Sequence, residues 1–315
     1  MKIVVLNNSF LNESHKKRLE ALGELTFYEA TSSTAEAIGR ARGADVVIGD
    51  GFLVDFNKEF FESTEGLKIL ALNSITYSMV DLKVASDKGV LVTNTPGYCA
   101  RSVAELGMGL VLDVVRKISF GVRKFKENPW EPDPASKDDG IYIGYDLEGR
   151  TMGIIGLGNI GKEVAKLSQG FGMKTIAWDR SPKNVSGVEM VTLKELVQRS
   201  DVVVVALTYN EETKHTLSAD LIKDLKKSAV VVNVAKKDLV DTEALVEVLK
   251  SNKIRGAAFD MSHVKKGDEL LELDNVVLTP HIGSYTEEAF YKNLPDVIVS
   301  NIESFAKVNP VNTVS

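Results

Sequence analysis

Thr151-Met-Gly-Ile-Ile-Gly156-Leu-Gly158-Asn-Ile-Gly161 decides how this 315-residue chain is read. An apolar run of strand character ends at Gly156, a helical pattern follows, and Gly156, Gly158 and Gly161 stand in G-x-G-x-x-G spacing. The first glycine permits a tight turn, the second lets backbone N–H groups approach a pyrophosphate, and the third lets helix and strand pack closely. The helix terminus adds its positive pole for phosphate oxygens, so Asn159 and Ile160 join the glycines as cofactor-binding candidates. Asp179 ends the next apolar strand, 18 residues after Gly161. A carboxylate there accepts hydrogen bonds from both adenosine ribose hydroxyls and repels a 2′-phosphate, which favours NAD over NADP. Arg180 works the other way, because a neighbouring guanidinium tolerates that phosphate. The plain alternative is a structural glycine turn followed by a surface aspartate.

The same strand-and-helix alternation extends in both directions. Upstream, Lys2–Leu6, Glu24–Tyr28, Ala44–Ile48, Leu67–Leu72 and Val90–Thr93 read as strands, with helical patterns at Ser14–Leu22 and Asp81–Lys88. Downstream, Lys174–Asp179, Asp201–Leu207, Ala229–Val234, Ile254–Asp260 and Val276–Thr279 continue the series. Strands this continuously apolar predict parallel sheets covered on both faces, hence two doubly wound α/β lobes. A long helix is predicted from Ala100 to Ile118, either an ordinary core helix or a subunit interface, with Gly107 and Gly109 allowing another backbone close. Pro129, Pro132 and Pro134, three of the eight prolines, mark a loop between Asn128 and Gly140 that also carries Asp133, Lys137, Asp138 and Asp139. A last helix is expected over Glu287–Lys307, packed on one lobe or the other.

Composition narrows the function classes. Hydrophobic residues at 44% and charged residues at 26% are ordinary for a globular protein, and a net charge of −6 argues against broad binding to nucleic acid or an anionic membrane. Cys99, the one cysteine, has no partner for an internal disulfide, and with no charged-then-apolar leader the chain is expected in the cytoplasm. No apolar run reaches the ~18 residues of a membrane helix. No His, Cys or carboxylate cluster shows metal-ligand spacing.

Val80-Asp81 with Ala85 and Gly89, Val92-Thr-Asn-Thr-Pro96, Val103-Ala-Glu105, the glycine loop, Asn233 with Leu239-Val-Asp241, Gly256-Ala-Ala-Phe-Asp260 and Thr279-Pro-His-Ile-Gly283 occur in this order. On these segments the chain resembles the D-isomer-specific 2-hydroxyacid dehydrogenase family over nearly its full length. The resemblance implies a Rossmann dinucleotide-binding domain, 99–285, inserted in a flavodoxin-like substrate domain made of 1–98 and 286–315. It further implies a cleft site between the domains and homodimers built on the long helix after Cys99. Leu207, Thr208, Val234, Ala235, Lys236, Asp260, His281 and Gly283 are implied to line the cofactor site. His281 matches the family's general acid/base, and a near-neutral imidazole suits that task. His15, His215 and His263 lack such a setting and read as structural.

The substrate side departs from the family. Its carboxylate-binding arginine is replaced in Asn233-Val-Ala-Lys236-Lys237 by lysine, which keeps the charge and loses the planar fork. An ungapped count puts Lys265 where the family has the glutamate that supports the histidine. Beside His281 it would depress the imidazole pKa by like-charge repulsion, with Glu269 a possible substitute. The segment Asn73-Ser-Ile-Thr-Tyr-Ser-Met-Val80 lacks the family's glycines, so Ser74, Ile75, Thr76 and Tyr77 are the substrate-binding candidates, with hydroxyls where others offer amides. Thr208 stands where a proline is usual. Two functions follow: an NAD-dependent oxidoreductase on an atypical small anionic 2-keto or 2-hydroxy acid, using His281, Lys236 and Lys265, or an NAD-binding protein without hydride-transfer turnover. Alternatively, Lys236 and Lys237 are solvated loop charges.

Overall fold

The computed structural model describes residues 1–129, 140–181, 183–261 and 264–314. Most of the predicted proline-rich loop, 130–139, and His263 lie outside the described residues. The chain divides into two units, Met1–Cys99 with Tyr285–Ser315, and Ala100–Ser284.

The first unit opens with β1 (Lys2–Val5), α1 (Glu13–Glu20), β2 (Glu24–Phe27), α2 (Thr34–Ala41), β3 (Val46–Gly49), α3 (Lys58–Ser63), β4 (Ile69–Leu72), α4 (Leu82–Asp87) and β5 (Leu91–Thr93). Side chains of a strand alternate between faces, and the core divides accordingly. Ile3, Val5, Val46, Ile48, Ile69 and Ala71 fill one layer, while Val4, Leu6, Val47, Leu70 and Leu72 fill the other. Asn12, Ser33, Asn57 and Asp81 cap the four helices, each accepting backbone N–H groups of the first turn.

The second unit begins with α5 (Ala100–Arg116) and α6 (Ile118–Glu127). One helix was expected to Ile118, but Lys117 takes φ +56° and breaks it. Asp113 then accepts the Ser119 N–H at 2.7 Å, starting the new helix. The sheet follows: β6 (Thr151–Ile155), α7 (Asn159–Gly170), β7 (Lys174–Trp178), β8 (Val188–Met190), α8 (Leu193–Arg199), β9 (Val202–Val205), α9 (Ala219–Lys223), β10 (Val230–Asn233), α10 (Thr242–Lys250), β11 (Gly256–Asp260) and β12 (Val276–Thr279). All seven strands are parallel, in the order β8-β7-β6-β9-β10-β11-β12. Sequence order reverses between β6 and β9, and doubly wound sheets bind ligands outside the carboxyl ends of their strands at such a point. The glycine loop lies there. Much of α5 is core: Gly107 faces Val234, and Gly256 leaves room for Val114, while Gly109 opens to free space.

The chain then returns to the first unit with α11 (Leu294–Ala306) and β13 (Thr313–Val314). Leu294, Ile298, Val299 and Ile302 join the layer of Ile3 and Val5, so the last helix packs on the first unit. It is shorter than expected because Glu288–Asn293 forms a π-helical turn before it. Pro295 has no N–H to donate, and a displaced hydrogen-bond ladder just upstream accommodates that. The first sheet runs β2-β1-β3-β4-β5-β13, and β13 pairs antiparallel with β5, an exception to the predicted parallel pairing. Asn301 donates to the Asn94 carbonyl at 2.9 Å and accepts from Asn312 at 2.8 Å, fastening the returning segment. No helix among the described residues is long and apolar enough to cross a membrane.

Candidate active site

Each glycine of the loop has its own reason. A Cβ on Gly156, where φ is +97°, would stand 2.8 Å from the backbone of Leu207. On Gly161 it would meet the Gly156 carbonyl oxygen at 2.0 Å, so helix and strand close only over glycine. On Gly158 it would meet nothing within 4 Å. Chain packing therefore asks for no glycine at 158, and the open space fits a bound group seated against the loop. Gly158 is also the N-cap of α7 and offers no side chain to the first-turn N–H groups of Asn159, Ile160 and Gly161, which suits an anion.

Asp179 lies just past β7. Its carboxylate accepts from Leu157 N–H at 2.8 Å, Ser181 N–H at 3.1 Å and Lys183 Nζ at 2.7 Å. Burial opposes its ionisation, but the Lys183 ammonium and the two amides outweigh that and hold the carboxyl below its ordinary value. Arg180 turns to Glu212 at 3.0 Å. A glycine-lined cradle followed by a carboxylate just past the next strand fits a nicotinamide dinucleotide, and Asp179 would be the group to meet its adenosine ribose.

Beyond β10, Asn233 is fully buried and ties down the loop after it. Its side chain accepts the Ala235 N–H at 2.9 Å and donates to the Lys236 carbonyl at 3.0 Å. Lys236 is exposed, its ammonium 5.7 Å from the centre of the Tyr209 ring. Lys237 instead pairs with Asp268 at 2.6 Å. Thr208 is exposed and its carbonyl accepts the Thr213 hydroxyl.

Asp260, at the end of β11 and 5% exposed, gathers the turn that carries His281. It accepts from the Thr279 hydroxyl at 2.7 Å, Ile282 N–H at 2.9 Å and Gly283 N–H at 2.8 Å. A Cβ on Gly283 would stand 2.9 Å from the Asp260 carboxylate, so the turn approaches that closely only with glycine. His281 itself is exposed at φ +57°, and its ring has no hydrogen-bond partner among the described residues.

Lys265 is also exposed; no hydrogen bond or ion pair joins it to His281, and its charge acts on Asp268. Glu269 is exposed and pairs with Lys250 at 2.8 Å. In the first unit, Ser74 is buried and donates to the Thr76 carbonyl at 2.7 Å, so its hydroxyl is spent inside the loop rather than offered outward. Asn94 holds the Ile75 carbonyl at 2.7 Å, and Ile75 and Tyr77 are exposed. Sequence reasoning missed Lys183, Tyr209 and Asp268. The four-residue step from Asp179 to Lys183 was a signal, whereas Asp268 is 31 residues from its partner and left none.

A family model described as D-isomer specific 2-hydroxyacid dehydrogenase, NAD binding domain, matches residues 108–283. The chain is 35% identical to the glyoxylate reductase of Pyrococcus horikoshii over 80% of its length and 77% of the relative's. It is 33% identical to the hydroxypyruvate reductase of Blautia hydrogenotrophica, with both chains fully covered. Among solved structures, an acyclic imino acid reductase in complex with NADPH and D-Arg superimposes with a TM-score of 0.86 at 30% identity, covering all of both chains. The dinucleotide cradle, the clamped histidine turn and these likenesses lead to one conclusion: the chain belongs to the D-isomer-specific 2-hydroxyacid dehydrogenase family and takes a nicotinamide dinucleotide as cofactor.

Proposed function

We propose that this protein transfers hydride between NAD(H) and a small anionic 2-keto or 2-hydroxy acid. One observation carries the reading: an exposed imidazole, without a hydrogen-bond partner among the described residues, on a turn that a buried carboxylate grips with three hydrogen bonds. When bound, the reduced nicotinamide supplies hydride to the substrate's C2. His281 gives a proton to the keto oxygen, or removes the hydroxyl proton in reverse. Lys236 pairs with the substrate carboxylate as a point charge rather than a fork, which favours compact anions. Thr76 and Tyr77 are the first unit's candidates for substrate contact.

A second reading is favoured because no carboxylate among the described residues hydrogen-bonds the His281 ring. A protonated C=N bond already carries the proton that a keto oxygen must be given, so reduction of an imino acid asks less of the histidine. The test is nicotinamide absorbance with glyoxylate, hydroxypyruvate and pyruvate, each with and without methylamine. Turnover on the keto acids alone, cut at least ~100-fold by His281→Ala with cofactor Kd unchanged, is the expected result. Turnover only with the amine would select the imine. Tight cofactor binding with neither would leave a dinucleotide-binding protein without hydride transfer.

We infer as well that a second copy of the chain covers α6, as the family's dimers built on the preceding helix imply. None of its side chains is buried, and Ile118, Val122 and Phe125 form an exposed apolar stripe at helical spacing.

A further inference from the structure

We propose that a cavity at the amino end of β12 binds a free α-amino acid with an apolar side chain, its carboxylate on Lys117 and its ammonium on Glu272. The cavity, of about 370 Å³, lies among the last turn of α5, the start of α6, the end of α10 and the segment entering β12. Small-molecule sites span roughly 300–1,000 Å³, so it suits a compact ligand. Val276 opens β12 beside it, whereas Thr279 and the His281 turn follow at the other end of the strand, which makes it a separate site from the one described above. Ser119, Phe120 and Arg123 line it from the side of α6 turned away from Ile118, Val122 and Phe125, since about 3.6 residues make one helical turn. The cavity and the exposed stripe are thus different faces of that helix.

Val114, Leu249, Leu273 and Val277 give the cavity apolar walls for a side chain. Six charged residues also line it, and four of them are already engaged. Arg123 pairs with Asp274, Lys250 pairs with Glu269, and Asp113 accepts the Ser119 N–H on one oxygen and the Ser119 hydroxyl on the other. Lys117 and Glu272 remain. Among the described residues neither has an ion-pair partner, and the Lys117 ammonium donates only to the Ile141 carbonyl. One cation and one carboxylate left over are the complement of a zwitterion. Lys117 is the costlier of the two to maintain, because its backbone takes φ +56°, in the left-handed region that disfavours a side chain. Burial, with the Arg255 guanidinium nearby, also pushes its ammonium below the ordinary lysine value. A ligand carboxylate offsets both the burial and the like charge. Strain and desolvation gathered on a single cation are features of a ligand clamp.

The experiment titrates the whole protein by calorimetry with leucine, with isocaproate and with isoamylamine. The two analogues keep leucine's apolar body and lack its ammonium and its carboxylate respectively. Leucine is expected to saturate with a millimolar or lower Kd, about tenfold or more tighter than either analogue, the scale of one charge-assisted hydrogen bond. Glu272→Gln should raise the leucine Kd by about tenfold and leave that of isocaproate unchanged. Lys117→Asn, which puts a residue tolerant of left-handed backbone at that position, should weaken leucine and isocaproate alike by about tenfold. Kd for NADH, read by nucleotide fluorescence, should stay unchanged in both variants. Glu272 is exposed, so its substitution tests the site even where Lys117→Asn fails to fold. Leucine that does not saturate, or a leucine Kd that either folded variant leaves unmoved, as for an amino acid seated elsewhere on the protein, overturns the proposal. Binding is read without turnover, so a failure of hydride transfer, which would sink the proposed function, leaves this result standing.

Discussion

At His281 the backbone lies in the left-handed region, a conformation costing an L-residue about 1 kcal/mol that persists only where neighbours enforce it. Asp260 enforces it, together with the His281 N–H donating to the Thr279 carbonyl at 3.0 Å. This makes Asp260 a positioning residue for the imidazole. Asp260→Asn turns an acceptor into a donor facing donors, and is expected to cost ~1–3 kcal/mol of stability. Turnover should fall at least ~tenfold as the ring drifts, with Kd for NADH little changed. Thermal unfolding and kcat measured side by side check it; a large loss of NADH affinity with stability intact would instead make Asp260 a direct cofactor contact. The Pro-His-x-Gly setting and the three glycines were legible because local spacing carries their chemistry. The clamp was not, since its acceptor lies about twenty residues upstream and side-chain direction is invisible in a string of letters.

At the scale of elements, two loops at the carboxyl edge of the second sheet are joined by one ion pair. Lys237 follows β10, and Asp268 caps the short 3-10 helix Glu269–Glu272 by accepting the Leu270 N–H at 3.1 Å. Burial raises the Asp268 carboxyl, but the Lys237 ammonium and the Leu270 amide prevail and hold it below its ordinary value. A depressed carboxyl stabilises the fold above its unfolded pKa of about 4, and that contribution fades as pH falls through the folded value. Asp268→Asn is therefore expected to cost ~1 kcal/mol at pH 7 and progressively less below about pH 4. Urea unfolding at pH 7 and pH 3 measures it, and a gap unchanged at pH 3 would remove the ion pair as its source. Strands such as Val202–Val205 were legible from unbroken apolar runs. β8 and β13, with three and two residues, are too short to show a period. The breaks at Lys117 and Pro295 depend on which backbone groups find partners, which periodicity does not report.

For the whole molecule, the exposed α6 stripe makes a prediction about assembly. Val122→Glu with Phe125→Glu places two charges in a face that a second copy would bury, and is expected to shift the protein from dimer to monomer in light scattering at micromolar concentration. An unchanged molecular mass in the double variant would put the interface elsewhere. The asparagine-fastened return of the chain has a different consequence, in time rather than space. The first unit needs Leu294–Ala306 to complete one core layer and Thr313–Val314 to extend its sheet. During synthesis its opening strands emerge about two hundred residues before that cover, while the second unit is complete by Ser284. At roughly 5–20 residues per second, those early strands wait on the order of ten seconds or more with one apolar face uncovered, and the dinucleotide-binding unit is the first to be capable of folding.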